Sequence, residues 1–141
     1  MIIEAPEKVD ILSVGCIIIF SNKYLLLHRK KDDLWNSLVG KFEDEDMSIN
    51  AAIKREILEE VGLNIEPKFF SITYHKLNDR NVAYYIFEYE FENDPSEIIK
   101  LNNKYDKFGF FTFEEVLKLK LFEDEDYILK LFKETKRKNG L

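Results

Sequence analysis

Hydrophobic and polar positions along the chain alternate and cluster in a way that predicts strands first, one helix, more strands, and then two helices. Residues 10–20 are largely apolar and rich in β-branched side chains, the pattern of a buried strand. Tyr24 to His28 reads as a second strand, joined to the first through Ser21-Asn22-Lys23 as a hairpin. From Ala51 to Leu63 the period changes: Ile53, Ile57, Leu58 and Val61 make an apolar helical stripe, Ser48 is placed to cap its start and Gly62 to end it. Lys68–Lys76 and Val82–Phe91 are aromatic-rich strand segments framing Asn78-Asp79-Arg80-Asn81, a second hairpin. Residues 93–105 read as a polar loop, Phe108–Phe113 as a short aromatic strand, Phe113–Lys120 as a helix, and the segment after the acidic run at Glu123 as a C-terminal helix to Lys138. The order predicts an α/β fold in which helices cover both faces of a mixed sheet.

Beside its apolar stripe the helix at 51–63 carries Glu56, Glu59 and Glu60 on one arc, because residues i, i+3 and i+4 are surface neighbours. Glu59 and Glu60 fall in the last turn, where the helix dipole disfavours negative charge. Most acidic helix faces are simply solvated. Here Arg55, four residues before Glu59, can fix a carboxylate, and the neighbouring stripe keeps the acids near the packed side. Clustered hard oxygen ligands of this kind suit Mg²⁺ or Mn²⁺.

The segment from Gly40 to Leu63, GKFEDEDMSINAAIKREILEEVGL, resembles the Nudix box, G-x5-E-x7-R-E-U-x-E-E-x-G-U with U apolar. Arg55, Glu56, Ile57, Glu59, Glu60, Gly62 and Leu63 match its second half at every fixed position. The first half is one residue too long. Counting back from Arg55 puts Met47 where an acid is expected, and counting forward from Gly40 puts Asp46 there, so a one-residue insertion with Asp46 or Glu45 supplying the acid is the reading. Trp35, Asn36, Leu38, Gly40 and Lys41 keep the spacing of a W-N-x-L-x-G-K form found in relatives acting on oxidised purine nucleoside triphosphates, among others. Val39 departs from it, replacing the first of two glycines.

The resemblance implies an α/β/α sandwich over a single domain, 1–141, and Mg²⁺-dependent hydrolysis of a nucleoside diphosphate linked to X, with Mn²⁺ able to substitute. It implies Gly40, Glu56, Glu59 and Glu60 as metal ligands, Arg55 as an orienter, and Glu56 as ligand or base. Asn36 is then a base reader or merely a turn-forming residue, and Trp35 a stacking surface or a half-buried core aromatic. Arg29, with Lys30 and Lys31, either meets phosphate or lies in a solvated loop, and Lys41 joins the substrate contacts. A later acid is also expected, with Glu88, Glu90, Glu92, Glu97 and Asp106 as candidates. Where relatives often carry that Glu, this chain has Lys104. His28 and His75, in strand-like segments, read as structural. The substrate favoured is a (d)NTP or oxidised (d)NTP; the rival is a nucleotide-binding or regulatory module with little catalysis, suggested by the insertion, Met47 and Val39. The intact Arg-Glu-x-x-Glu-Glu favours the enzyme.

Bulk properties agree. With 141 residues, 45% of them hydrophobic, the chain can bury one good core. A net charge of −6 argues against a nucleic-acid backbone as partner, but not against a small nucleotide bound with metal. The single cysteine, Cys16, excludes an internal disulfide and fits a reducing cytoplasm. Neither a signal peptide nor an apolar run of about 20 residues is visible. A homodimer is compatible with all of this.

Overall fold

The computed structural model describes residues 1–139; residues 140 and 141 lie outside the described part. Its elements are β1 (Ile2–Ile3), β2 (Ile11–Phe20), β3 (Lys23–Arg29), β4 (Trp35–Asn36), β5 (Leu38–Lys41), α1 (Ile49–Val61), β6 (Lys68–Leu77), β7 (Arg80–Phe91), β8 (Tyr105–Phe111), α2 (Phe113–Val116) and α3 (Glu125–Asn139). Both hairpins close through two-residue turns, Ser21-Asn22 and Asn78-Asp79. All four residues have φ between 49° and 64°, the left-handed pair that matches strand twist.

The strands form one mixed sheet, ordered β1-β6-β7-β2-β3-β4, with β5 also on β2 and β8 also on β3. β2 runs parallel to β7 along its whole length. Its other edge is divided. Near the hairpin Ile19 and Phe20 pair with β3, whereas Ser13–Cys16 pair with β5. This division of β2 brings Gly40, opposite Val14, to the centre of the sheet.

Strand alternation sends side chains to two separate cores. Val14, Cys16, Ile18, Leu25, Leu27 and Phe87 meet Ala52, Ile53, Ile57 and Val61 of α1 on one face. On the other, Ile17, Ile19, Leu26 and Ile86 meet Val116, Ile128, Leu129 and Phe132 of α2 and α3. The result is the expected α/β/α sandwich.

Several boundaries differ from the sequence reading. Leu58 leaves the apolar stripe and faces solvent, while Glu56 and Glu60 take buried positions on α1. β8 begins at Tyr105, three residues before the aromatic run, because Tyr105–Phe111 continue the ladder along β3. It ends before Thr112, whose hydroxyl caps α2 in a reciprocal capping box with Glu115. α2 stops after one turn, not at Lys120, because the chain then bends to place Leu121 in a bridge with Trp35. Ser48 does cap α1, accepting from the Ala51 amide, and Gly62 ends it at φ 70° with its N–H on the Leu58 carbonyl.

Candidate active site

α1 presents its acids along two sides. Glu56 and Glu60, one turn apart, turn inward, and Glu60 is only 1% exposed. Glu59 stays largely in solvent. Burying two carboxylates on a helix otherwise packed with Ala52, Ile53, Ile57 and Val61 opposes folding unless each finds partners.

The partners come from three directions. Arg55 is the hub. Its Nε and Nη2 donate to the two oxygens of Asp46 at 2.8 and 2.9 Å, Nη1 reaches Glu56 at 3.0 Å and Glu59 at 3.2 Å, and Nη2 also donates to the Lys41 carbonyl. The acid of the inserted loop that engages Arg55 is therefore Asp46, which also accepts from the Glu43 amide; Met47 and Glu45 face solvent. The guanidinium holds the Asp46 carboxyl below the usual carboxylate range.

Glu60 is met from β8. Tyr105 donates its hydroxyl to Glu60 Oε1 at 2.7 Å, and Lys104 Nζ lies 3.4 Å from the same oxygen. Burial outweighs both partners and pushes Glu60 up to about 6; it raises Glu56 as well, against the pull of Arg55. Glu60 Oε2 is buried and has no hydrogen-bond partner among the described residues.

Gly40 lies directly over Glu56. A Cβ there would overlap the Glu56 carboxyl group, so only glycine lets the strand come this close. Its carbonyl accepts from Ser13 Oγ at 2.9 Å.

The donor set suits a hard divalent cation: a buried carboxylate oxygen without a partner, a second buried carboxylate beside it, and a glycine carbonyl adjacent. Among the described residues, no three Asp, Glu, His or Cys side chains already converge as a finished cage. Glu59 is turned toward Arg55.

The other expected contacts are dispersed. Trp35 is a half-buried aromatic of the α3-side core, edge-on to Phe111 at 5.2 Å. Asn36 is buried near the Tyr105 hydroxyl, with Oδ1 unpartnered. Arg29 pairs with Asp32 at 2.9 Å and stacks over the Phe122 ring, and Lys41 faces solvent. Of the later acids, Glu88 is bound to Lys136 and Asp106 to His28, and the neighbour of the buried carboxylate is Lys104. Both histidines are tied into the fold. His28 bridges Asp106 and Asp33 at 2.6 and 2.5 Å, and His75 joins Thr73 to Asp124.

On the opposite face of Gly40 lies a mainly apolar cavity of about 240 Å³, walled by Val39, Tyr84, Phe122 and Ile128 and edged by Asp124 and Glu125. Glu125 is 4% exposed, accepts from the Ser37 amide and hydroxyl through Oε1, and leaves Oε2 unpartnered. Burial raises its pKa to about 7. Sequence reasoning missed this residue because it stands inside an acidic run that looks solvated. Tyr105 was missed too, although alternation through 105–111 hints at it. A larger cavity, about 610 Å³, opens at Ile19, Tyr24 and Phe132; it shares no residue with the carboxylate cluster.

A family model described as NUDIX domain matches residues 10–132. No curated protein sequence matches the chain. Among solved structures it is similar to a MutT protein from Methanosarcina mazei Go1, at 23% identity and TM-score 0.73 over 96% of this chain and 99% of that one. The NUDIX domain of Shewanella oneidensis NrtR complexed with ADP ribose gives 14% identity and TM-score 0.77, covering 91% and 89%. A bifunctional NMN adenylyltransferase/ADP ribose pyrophosphatase from Francisella tularensis, complexed with AMP and Mn ion, gives 20% and 0.73, covering 93% of this chain and 43% of that one.

Proposed function

Because the chain belongs to the Nudix family of pyrophosphohydrolases, we propose that it hydrolyses the pyrophosphate linkage of a nucleoside triphosphate, an ordinary or oxidised (d)NTP, with Mg²⁺ or Mn²⁺. The observation that carries this reading is the position of Gly40 between a carboxylate cluster on one face of the sheet and a base-sized apolar cavity on the other. A nucleoside in the cavity would bring its phosphates past Gly40 toward Glu56, Glu59 and Glu60.

In this reading Glu56, Glu59, Glu60 and the Gly40 carbonyl hold the divalent ion. When bound, the ion neutralises phosphate charge and lowers the pKa of a bound water. Arg55 keeps Glu56 and Glu59 in register and is not itself a reactant. Glu56, raised by burial, is the carboxylate suited to take the proton of the attacking water. The water oxygen bonds to phosphorus, one P–O bond of the anhydride breaks, and a nucleoside monophosphate and pyrophosphate result. In the cavity, Glu125 Oε2 offers the base a polar partner, a donor while the carboxyl keeps its proton and an acceptor once it is ionised, and a base that leaves it unpaired is disfavoured.

The test is product release from dGTP, 8-oxo-dGTP, a dinucleoside tetraphosphate, ADP-ribose and NADH with Mg²⁺ and with Mn²⁺. Metal-dependent pyrophosphate release from a triphosphate is expected. Glu59→Gln should reduce it by about a hundredfold or more without lowering the melting temperature, since Glu59 is exposed and held only by Arg55. The orientation of Glu59 toward Arg55 favours one second reading, a nucleotide-binding module with weak catalysis. Nucleotide binding that survives both chelator and Glu59→Gln, without turnover, would support it.

A further inference from the structure

Residues 100–105 close over the C-terminal end of α1. The Lys100 and Asn102 amides donate to the carbonyls of Val61 and Glu60 at 2.9 and 3.1 Å, satisfying acceptors that a helix end leaves open. Asn102 Oδ1 accepts the Lys104 amide, and the Lys104 carbonyl accepts the Lys30 amide, so residue 104 is held from both sides. The loop thus delivers two side chains to one carboxylate: the Tyr105 hydroxyl within the core and the Lys104 ammonium outside it.

The placement of that ammonium is specific. Glu60 is 1% exposed and Lys104 61%, with Nζ 3.4 Å from Oε1, so the cation lies between the buried acid and the opening. Arg55 is committed to Asp46, Glu56, Glu59 and the Lys41 carbonyl. Among the described residues Lys104 has a single acid partner, Glu60, which leaves two of its three N–H donors over. Glu43, Asp46, Glu56, Glu59 and Glu60 carry five negative charges against Arg55 and Lys104, leaving −3; without Lys104 the cluster would stand at −4.

We propose that Lys104 is a resident cation of the active site: it neutralises Glu60 on the Oε1 side, leaves Oε2 to a divalent ion, and grips a non-bridging phosphate oxygen of the substrate with its free donors. It thereby stands in for part of the charge that additional divalent ions would otherwise supply. This rests on the hydrolase reading above, and it assigns the chain a phosphate contact that the neighbouring, fully occupied Arg55 does not provide.

The experiment is Mn²⁺ binding followed by electron paramagnetic resonance, together with binding of an α,β-methylene dNTP analogue. It compares wild type, Lys104→Arg, Lys104→Met and Lys104→Glu, each checked by thermal melting. Lys104→Glu should bind one further Mn²⁺ or bind Mn²⁺ about tenfold more tightly. Lys104→Met should weaken the analogue about tenfold, the loss of one charge-assisted hydrogen bond, and Lys104→Arg should largely restore it. An unchanged Mn²⁺ isotherm in Lys104→Glu, or unchanged analogue affinity in Lys104→Met, overturns the proposal. Glu56→Gln and Glu60→Gln separate the two readings. If they abolish Mn²⁺ binding while Lys104 substitutions leave it untouched, only the role of Lys104 fails. If they leave Mn²⁺ binding unchanged, the hydrolase site itself is misplaced and this inference falls with it.

Discussion

At Gly40 the absence of a side chain is a steric requirement. An added methyl would occupy the space of the Glu56 carboxyl group, which Arg55 and the core hold in place. Gly40→Ala should therefore push Glu56 aside, at a cost of about 1–3 kcal/mol, the usual penalty for overpacking. Mn²⁺ affinity should fall in parallel. Denaturant unfolding and a Mn²⁺ titration check the two effects, and wild-type metal affinity in the variant would exclude Glu56 as a neighbour of the ion. The acids of the box follow similar logic. Glu59 is exposed and its loss should leave folding intact, whereas Glu56 and Glu60 occupy core positions that an apolar residue would fill better, the pattern expected of carboxylates kept for the proposed chemistry and not for stability.

Among the elements, α1 carries the cluster, and its two ends are fixed by residues that the sequence makes plain. Ser48 accepts the Ala51 amide at one end, and Gly62 adopts φ 70° at the other, where a Cβ would also press on Lys100 Cβ at 3.1 Å. Gly62→Ala should cost about 1 kcal/mol or more through backbone strain alone. Because Gly62 adjoins the loop that brings Lys104 and Tyr105 to Glu60, catalysis should fall by more than the stability loss explains. Activity measured well below the melting temperature tests this; full activity there would uncouple the helix end from the site. The hairpins and caps were legible because short-range chemistry specifies them: left-handed Asn, Asp and Ser pairs, a hydroxyl cap, a glycine stop. The starting point of β8, the single turn of α2 and the inward turn of Glu60 were not. Each depends on a partner distant in sequence: β3 for Tyr105, Trp35 for Leu121, and Tyr105, 45 residues away, for Glu60. The same holds for Glu125, whose partner Ser37 is 88 residues away. In the box, the spacing left Asp46 and Glu45 equivalent; only the path of the inserted loop puts Asp46 on Arg55.

For the molecule as a whole, the ionisable groups that join distant elements define a pH dependence. Glu125 ties α3 to the sheet through Ser37, and burial raises its pKa from 4.5 to about 7. The native chain thus holds this proton when the unfolded chain has lost it, so stability falls as pH rises between these values. The loss is on the order of 3 kcal/mol at neutral pH. His28, clamped between Asp33 and Asp106, has a raised pKa, chiefly through its hydrogen bond to Asp106. Its stabilisation is complete below the ordinary histidine value and is lost as pH rises through the folded one. Asp33, Asp106 and Asp46 have lowered values and act in the opposite sense: their contribution is present above the ordinary carboxylate range and disappears in stronger acid. The metal-free protein should therefore be most stable at mildly acidic pH, about 5, and melt at lower temperature both in stronger acid and toward pH 8. Glu125→Gln keeps an oxygen for the two Ser37 donors and removes the charge, so it should flatten the decline between about 5 and 7 while leaving the acid limb in place. Thermal melts across this range, with and without the substitution, decide the matter. A wild-type maximum near pH 8, or a decline that Glu125→Gln does not reduce, would show that Glu125 is ionised at little cost, and that the cavity it borders is wetter than its apolar walls imply.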